Sequence, residues 1–207
     1  MKRIFSITVF TMCAALAGTR AVAEENESAA GLFVEPAVTY ESSNSSVTMP
    51  APLGDTTGTV NGFGLGARLG FHFEGIVFAG VDARYAMPTF KDSSGYNASA
   101  TEMNYGPVVG IQTPLVGLRV WGSYILGGEL NPDKSGSFDV KFSNASGYRI
   151  GAGFRVAVVS LNLEYQEVTY KTSTLEQIGP FSPGTNFDSV NLKDKSWIAS
   201  VSFPIAL

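Results

Sequence analysis

The chain has 207 residues with 14 basic and 18 acidic side chains, and only 15% of it is charged, against about 25% for soluble domains. One cysteine, Cys13, excludes a disulfide scaffold, and the acidic balance argues against a nucleic-acid partner. No stretch after the first two dozen residues approaches the ~18 uninterrupted apolar residues of a membrane helix.

The amino terminus reads MKR, then the apolar run "IFSITVFTMCAALAG", then small residues "AVA" before "EENES". This is the plan of a secretory signal peptide, 1–23, cut after Ala23. A lipoprotein centred on Cys13 is the competing reading, but Met12 is a poor small residue before it and the apolar run continues past it. Cleavage removes Lys2, Arg3, Arg20 and the cysteine, so 11 basic residues face 18 acidic ones, a net of −7. A short tail, 24–30, would precede one domain, 31–207.

Eight segments then alternate large apolar residues with small or polar ones, the two-residue period of a β-strand. They run roughly over 31–41, 60–73, 77–87, 103–113, 118–130, 147–158, 161–170 and 195–207. In 62–73, Phe63, Leu65, Ala67, Leu69, Phe71 and Phe73 share one face, and Gly62, Gly64, Gly66, Arg68, Gly70 and His72 the other. The connections alternate: "EGI" (74–76), "PLVG" (114–117) and "VS" (159–160) are tight, whereas 42–59, 88–102, 131–146 and 171–194 are long and polar. Each segment has about the 9–11 residues with which a tilted strand crosses a bilayer.

Two architectures fit such alternation. A soluble carrier barrel turns its apolar face inward; a membrane barrel turns it to lipid. Glycine favours the second. The charged face carries Gly62, Gly64, Gly66, Gly70, Gly80, Gly106, Gly110, Gly151 and Gly153, wasteful on a water-facing strand but useful where Arg and Trp must fit inside a narrow tube. On the apolar face, near the long-loop end, stand Tyr40, Phe63, Tyr85, Tyr105, Tyr124, Tyr148 and Trp197, the girdle expected where a ring lies in hydrocarbon and its polar tip in water. The expectation is an all-β, eight-stranded antiparallel up-and-down transmembrane barrel in the bacterial outer membrane, with short periplasmic turns and long extracellular loops.

Glu35, Arg68, Asp82, Arg84, Arg119, Arg149, Arg155 and Glu164 then fall inside and must be paired, because burying an ionised group alone costs several kcal/mol. A three-residue "EGI" turn sets Arg68 opposite Asp82. A two-residue "VS" turn would set Arg155 opposite Glu164. Glu35 and Arg119 come out at similar depth on opposite walls, Gly110 opposite Trp121, and Arg84, Arg149 and Glu41 higher, where water near the mouth would help solvate them.

The hairpin "YRIGAGFRVAVVSLNLEY" resembles the penultimate hairpin of small outer-membrane barrels related to the OmpA transmembrane domain and OmpX. The last strand, with Trp197, Ala199, Val201, Phe203, Ile205 and Leu207, is similar to the assembly signal of that class, from which it departs by ending in Leu207 and not an aromatic residue. The resemblance implies a plugged interior and recognition by the outer-membrane assembly machinery, with no peptidoglycan-binding domain after Leu207.

The functional expectation is a non-enzymatic barrel that presents four surface loops for envelope structure or adhesion, surrounded by outer-membrane lipid and lipopolysaccharide, with a surface partner through its loops. The alternative is a narrow channel, or a carrier for small hydrophobic compounds of the OmpW-like kind. Five lumen arginines against Glu35, Asp82 and Glu164 would disfavour cations in such a pore. No catalytic, metal or cofactor site is expected: the one histidine, His72, lies at the short-turn end, and Glu129, Asp133 and Asp139 read as a solvated loop. The fourth loop mixes Leu175, Ile178, Phe181, Phe187 and Val190 with turn residues and is expected to pack on itself.

Overall fold

A computed structural model describes residues 31–49, 54–93, 95–113, 117–136, 138–181, 184–187 and 189–207. The signal peptide and amino-terminal tail expected for 1–30 lie outside these residues, as does most of the 114–117 turn. Eleven strand segments follow in chain order: β1 (Gly31–Thr48), β2 (Thr56–Phe73), β3 (Val77–Asp92), β4 (Asn97–Gln112), β5 (Leu118–Ile125), β6 (Gly127–Pro132), β7 (Phe138–Val156), β8 (Val159–Ile178), β9 (Thr185–Phe187), β10 (Asn191–Ser202) and β11 (Ile205–Ala206).

The sheet closes on itself. Every described pairing is antiparallel, neighbours in sequence pair, and β1 bonds both to β2 and to β10, with β11 completing the last strand beside Phe33 and Val34. Since β5 and β6 lie end to end between β4 and β7, and β9 is a short addition to β8, the ring has eight members. Closure leaves no edge, so the backbone polar groups are paired around the circumference, the condition for standing in lipid.

Two features differ from the sequence reading. The strands are longer: β1 has 18 residues and β8 has 20, whereas the alternation was followed only as far as the first polar stretch. Parts of the expected long loops are therefore strand, and the barrel wall continues beyond the thickness that ~10 residues span. The fifth strand is not continuous over 118–130. Pairing with β4 shifts by one residue between Val108–Ser123 and Tyr105–Gly127, a β-bulge that turns Leu126 outward while its N–H donates to the Tyr105 carbonyl at 2.9 Å. Gly128 there has φ 159°, and a Cβ on it would stand 2.2 Å from the Met103 carbonyl oxygen, which explains glycine at this close approach.

The alternation changes sense along the wall. Between the short turns and the aromatic girdle, the outward residues are apolar, and the inward ones are polar above a small apolar floor. On β8, Leu161 and Leu163 are exposed while Asn162, Glu164 and Gln166 are buried. Above the girdle the arrangement reverses: on the same strand Val168 and Tyr170 are buried and Lys171 is exposed. β10 repeats it, with Trp197 and Val201 outside over buried Ser196 and Ser200, then Lys193 and Lys195 outside over buried Leu192.

Candidate functional site

The interior is built in tiers, starting at the short-turn end. Phe33, Phe78, Val108 and Trp121 form a buried apolar floor, against which His72 packs, its ring 4.5 Å from that of Phe33 and 5.7 Å from that of Phe78. Gly110 and Gly151 flank Trp121 on the two neighbouring strands; a Cβ on Gly151 would lie 2.5 Å from the indole. The small residues are there to admit the large one.

Above the floor lies a network of charges. Arg119 holds Glu35 with two parallel hydrogen bonds, Nη1 to Oε1 at 2.8 Å and Nη2 to Oε2 at 2.7 Å, and Ser202 donates to Glu35 at 2.6 Å. Asp82 accepts from three guanidinium groups: Arg68 Nε at 2.7 Å, Arg84 Nε at 2.7 Å and Arg149 Nη1 at 2.8 Å. Glu164 Oε1 accepts from Arg68, from Arg84 Nη2 at 2.9 Å and from Trp121 Nε1 at 2.9 Å. The Arg68 guanidinium also stacks over the Trp121 ring, 4.3 Å from its centroid, a favourable cation–π geometry. Bidentate and shared guanidinium–carboxylate bonds of this kind offset the desolvation of both charges.

Arg155 is not part of this network. The last short turn is Ala157–Val158, with Ala157 at φ 52°, so Arg155 pairs with Ser160 and Glu164 with Gly151. Moving the turn two residues toward the amino terminus of the expected one slides the whole register and leaves Arg155 half-buried at the short-turn end, donating to the Ala157 carbonyl. Arg84, Arg149 and Glu41 also depart from expectation. All three are buried and bonded inside the wall, with Arg149 reaching Asn104 Oδ1 at 2.7 Å and Gln166 Oε1 at 3.0 Å.

A third tier escaped the sequence reading. Glu102 and Asp194 are buried beside Glu41, and none of the three is in an ion pair among the described residues. Glu102 accepts from Tyr170 Oη at 2.9 Å and Asn104 Nδ2 at 3.2 Å, and Gln166 Nε2 donates to Glu41 at 3.2 Å. Asp194, three residues above the girdle, is pushed up to about 8 by burial and by the charge of Glu102. Burial likewise raises Glu102. Counting these, four interior arginines face six interior carboxyl groups, where five against three were expected. Among the described residues no group of His, Cys, Asp and Glu is arranged to hold a metal.

The top tier is apolar. Val60, Phe90, Ala100, Ile125, Leu130, Phe142, Ala145, Val168, Tyr170 and Leu192 form one buried cluster, with Val47 packed against it, so that every position around the ring contributes. Lower down, a cavity of about 10 Å³ remains between Glu35, Arg68, Arg84, Asn162, Ser200 and Ser202, about the space of one water.

On the outer wall the girdle residues Tyr40, Phe63, Tyr85, Tyr105, Tyr124, Tyr148 and Trp197 are all exposed, with ring contacts linking Tyr40 to Phe63 at 4.9 Å and Trp197 to Tyr165 at 5.4 Å. Beneath them Leu65, Leu69, Val81, Val109, Ile111, Val120, Ile150, Leu161 and Leu163 face outward. An apolar band around the whole waist with ionised groups at the axis is insoluble in water and suited to hydrocarbon. The chain forms a membrane barrel. Val201, Phe203 and Leu207 of the expected assembly signal also point outward, although the strand is interrupted at 203–204 before resuming at Ile205.

No family model and no curated protein matches the chain. Among solved structures it is similar to Neisserial surface protein A, with 13% identity over 84% of this chain and 98% of that one and a TM-score of 0.44. It is also similar to the outer membrane protein OprG from Pseudomonas aeruginosa, with 12% identity over 86% and 97% and a TM-score of 0.46. A weaker likeness, 9% identity and a TM-score of 0.19 over 86% and 90%, is to the P. putida toluene transporter TodX.

The residues expected in the surface loops lie apart from these tiers. Glu129 stands on β6 and not in a loop, bound to Lys141 of β7 at 2.7 Å. In the fourth loop Phe181 is exposed at 72%, while Phe187, 40% exposed, lies on β9 beside Ser173 of β8.

Proposed function

We propose that the chain is an outer-membrane barrel with a closed interior, non-enzymatic, its short turns periplasmic and its long-loop end a surface platform for envelope structure or adhesion. The observation that carries this reading is the stack of tiers, in which an apolar floor, a guanidinium–carboxylate network and an apolar lid occupy the axis in succession. A barrel of about eight strands is only wide enough for side chains to fill, and an apolar lid above bonded charges opposes the passage of hydrated ions. The exposed Phe181 and Phe187 are the loop groups that favour contact with another surface.

Planar-bilayer recording of the refolded barrel tests the closed interior. Silence over repeated, independently verified insertions is the expected result. Stepwise currents whose ion selectivity changes in Arg119→Ala would replace this reading with the channel alternative. Loss of cell or matrix attachment on deleting 179–190, with the heat-modifiable gel shift of the folded barrel retained, would support the platform role.

A further inference from the structure

After residue 23 the sequence has six lysines, Lys91, Lys134, Lys141, Lys171, Lys193 and Lys195, and all lie on the loop side of the girdle. Three of them frame one feature of the outer wall. The β1–β2 ladder pairs Ser42 with Asn61 and resumes only at Ser45 with Gly58. Between these points side chains replace the ladder, Ser43 N–H donating to Asn61 Oδ1 at 3.0 Å and Val60 N–H to Ser43 Oγ at 2.9 Å. The parted seam is the floor of an open depression of about 750 Å³.

Asn44, Ser46, Thr57 and Thr59 line its floor, Lys193 and Lys195 one rim, and Lys91 the other. Lys195 pairs with Asn44 on β1 and Lys91 with Thr59 on β2, so the two rims stand three strand spacings apart, about 14 Å. Lys91 and Lys193 have no ion-pair partner among the described residues, and Lys195 Nζ is a loose 3.5 Å from Glu167. Asp92, which also borders the depression, is turned to the loop, its Oδ1 accepting from the Tyr96 N–H at 2.9 Å. Across the barrel the contrast is plain: Lys141 is neutralised by Glu129 at 2.7 Å. Directly below the depression the wall presents Tyr40, Phe63, Met87 and Trp197.

Hydroxyl and amide groups between three ammonium groups, of which only Lys195 has a loose carboxylate neighbour, are set immediately above an aromatic and apolar wall and complement a molecule with anionic oxygens on its head and alkyl chains beneath. We propose that this depression is a binding site for a phosphorylated glycolipid of the lipopolysaccharide type in the loop-side leaflet, its phosphates taken by Lys193 and Lys195 on one rim and Lys91 on the other. The inference rests on the orientation given under Proposed function. Ammonium groups on a flexible stem suit phosphates as point charges, and a lysine near an anionic lipid surface contributes about a fivefold gain in affinity.

The test uses the folded barrel in neutral detergent, titrated with diphosphorylated lipid A, with its dephosphorylated form and with inorganic phosphate. Each of Lys91→Gln, Lys193→Gln and Lys195→Gln should weaken binding of the diphosphorylated lipid about fivefold, and the triple variant roughly a hundredfold. Lys193→Arg should retain binding, and Lys141→Gln should leave it unchanged. The heat-modifiable gel shift, read on every variant, reports the barrel separately from the site. Equal binding of the dephosphorylated lipid, equal binding by the triple variant in its folded form, or lysine-dependent binding of inorganic phosphate without the lipid would each overturn the proposal while leaving the closed-barrel reading intact.

Discussion

Arg119 on β5 and Glu35 on β1 meet across the full width of the barrel, joined by two parallel hydrogen bonds of 2.8 and 2.7 Å. Each side chain is essentially inaccessible to solvent, so the pair ties two walls that share no ladder. Removing Arg119 leaves Glu35 with Ser202 and a long 3.8 Å contact to Arg68. Arg119→Met should lower the urea midpoint of the detergent-folded barrel by the equivalent of about 3–5 kcal/mol, and Arg119→Met with Glu35→Met should recover most of it. Gel-shift unfolding curves of the two variants and the wild type decide this.

Glu164 bonds to Arg68 and Arg84, while Arg155 stands opposite Ser160. A double-mutant cycle between Glu164→Gln and Arg84→Met should give an interaction energy of about 1–3 kcal/mol, as expected of groups sharing a bond. The same cycle with Arg155→Met should be additive within about 0.5 kcal/mol. Coupling to Arg155 would restore the register that a Val159–Ser160 turn implies and refute the one described.

The acidic tier makes stability depend on pH in a direction unusual for carboxylates. Asp194 holds its proton to about pH 8 in the folded barrel, whereas an unfolded aspartate releases it near 4. The folded state therefore binds more protons between these values, and stability falls as pH rises through that window. The unfolding midpoint should be higher at pH 5 than at pH 9, and Asp194→Asn should reduce the difference without removing it, because burial raises Glu41 and Glu102 in the same direction. Glu41, Glu102 and Tyr170 interact electrostatically with this position and are left unchanged in the comparison.

Gly106 faces Asp82 on β3, and a Cβ on it would fall 1.7 Å from the Tyr124 carbonyl oxygen. Backbone cannot yield as a side-chain tip can. Gly106→Ala should cost about 1–3 kcal/mol of stability through forced displacement of β5, and Gly122→Ala, where nothing stands within 4 Å of the new methyl, should cost less than half as much. Parallel denaturation of both variants separates crowding from a general intolerance of side chains at the β4–β5 seam.

The sequence made the ring and its inner face readable because alternation has a period of two and one solvent on each side: Arg68 opposite Asp82 follows from counting across a three-residue turn. Arg155 was misplaced because two neighbouring dipeptides, Ala157–Val158 and Val159–Ser160, serve equally well as turns by composition, and a choice between them moves every partner. Glu102 and Asp194 were accessible in principle. Continuing the count inward from Tyr105 and Trp197 puts both inside, but polar residues begin there, and a strand that alternates above the bilayer looks like a loop by hydropathy alone. The bulge at Leu126 carries a signal too, since Gly127 and Gly128 interrupt the pattern, yet glycine is so common on these strands that the pair does not stand out. The Arg84–Glu164 bond crosses the axis and has no trace in local spacing, whereas Trp121 reaches Glu164 over Gly151 on the strand between them, a contact that depends on the corrected register.

The exchange of faces at the girdle divides the molecule by what holds it together. Below it, unfolding within the bilayer would trade contact with alkyl chains for more of the same, so cohesion comes from ladders and ion pairs. Above it, Phe90, Phe142, Val168 and Leu192 are sheltered from water, and their exposure carries the positive heat-capacity increment of a soluble core. The crown of the barrel therefore has its own thermal signature: cooling and chaotropes loosen it by weakening water's aversion to hydrocarbon, an influence to which the girdled waist is indifferent.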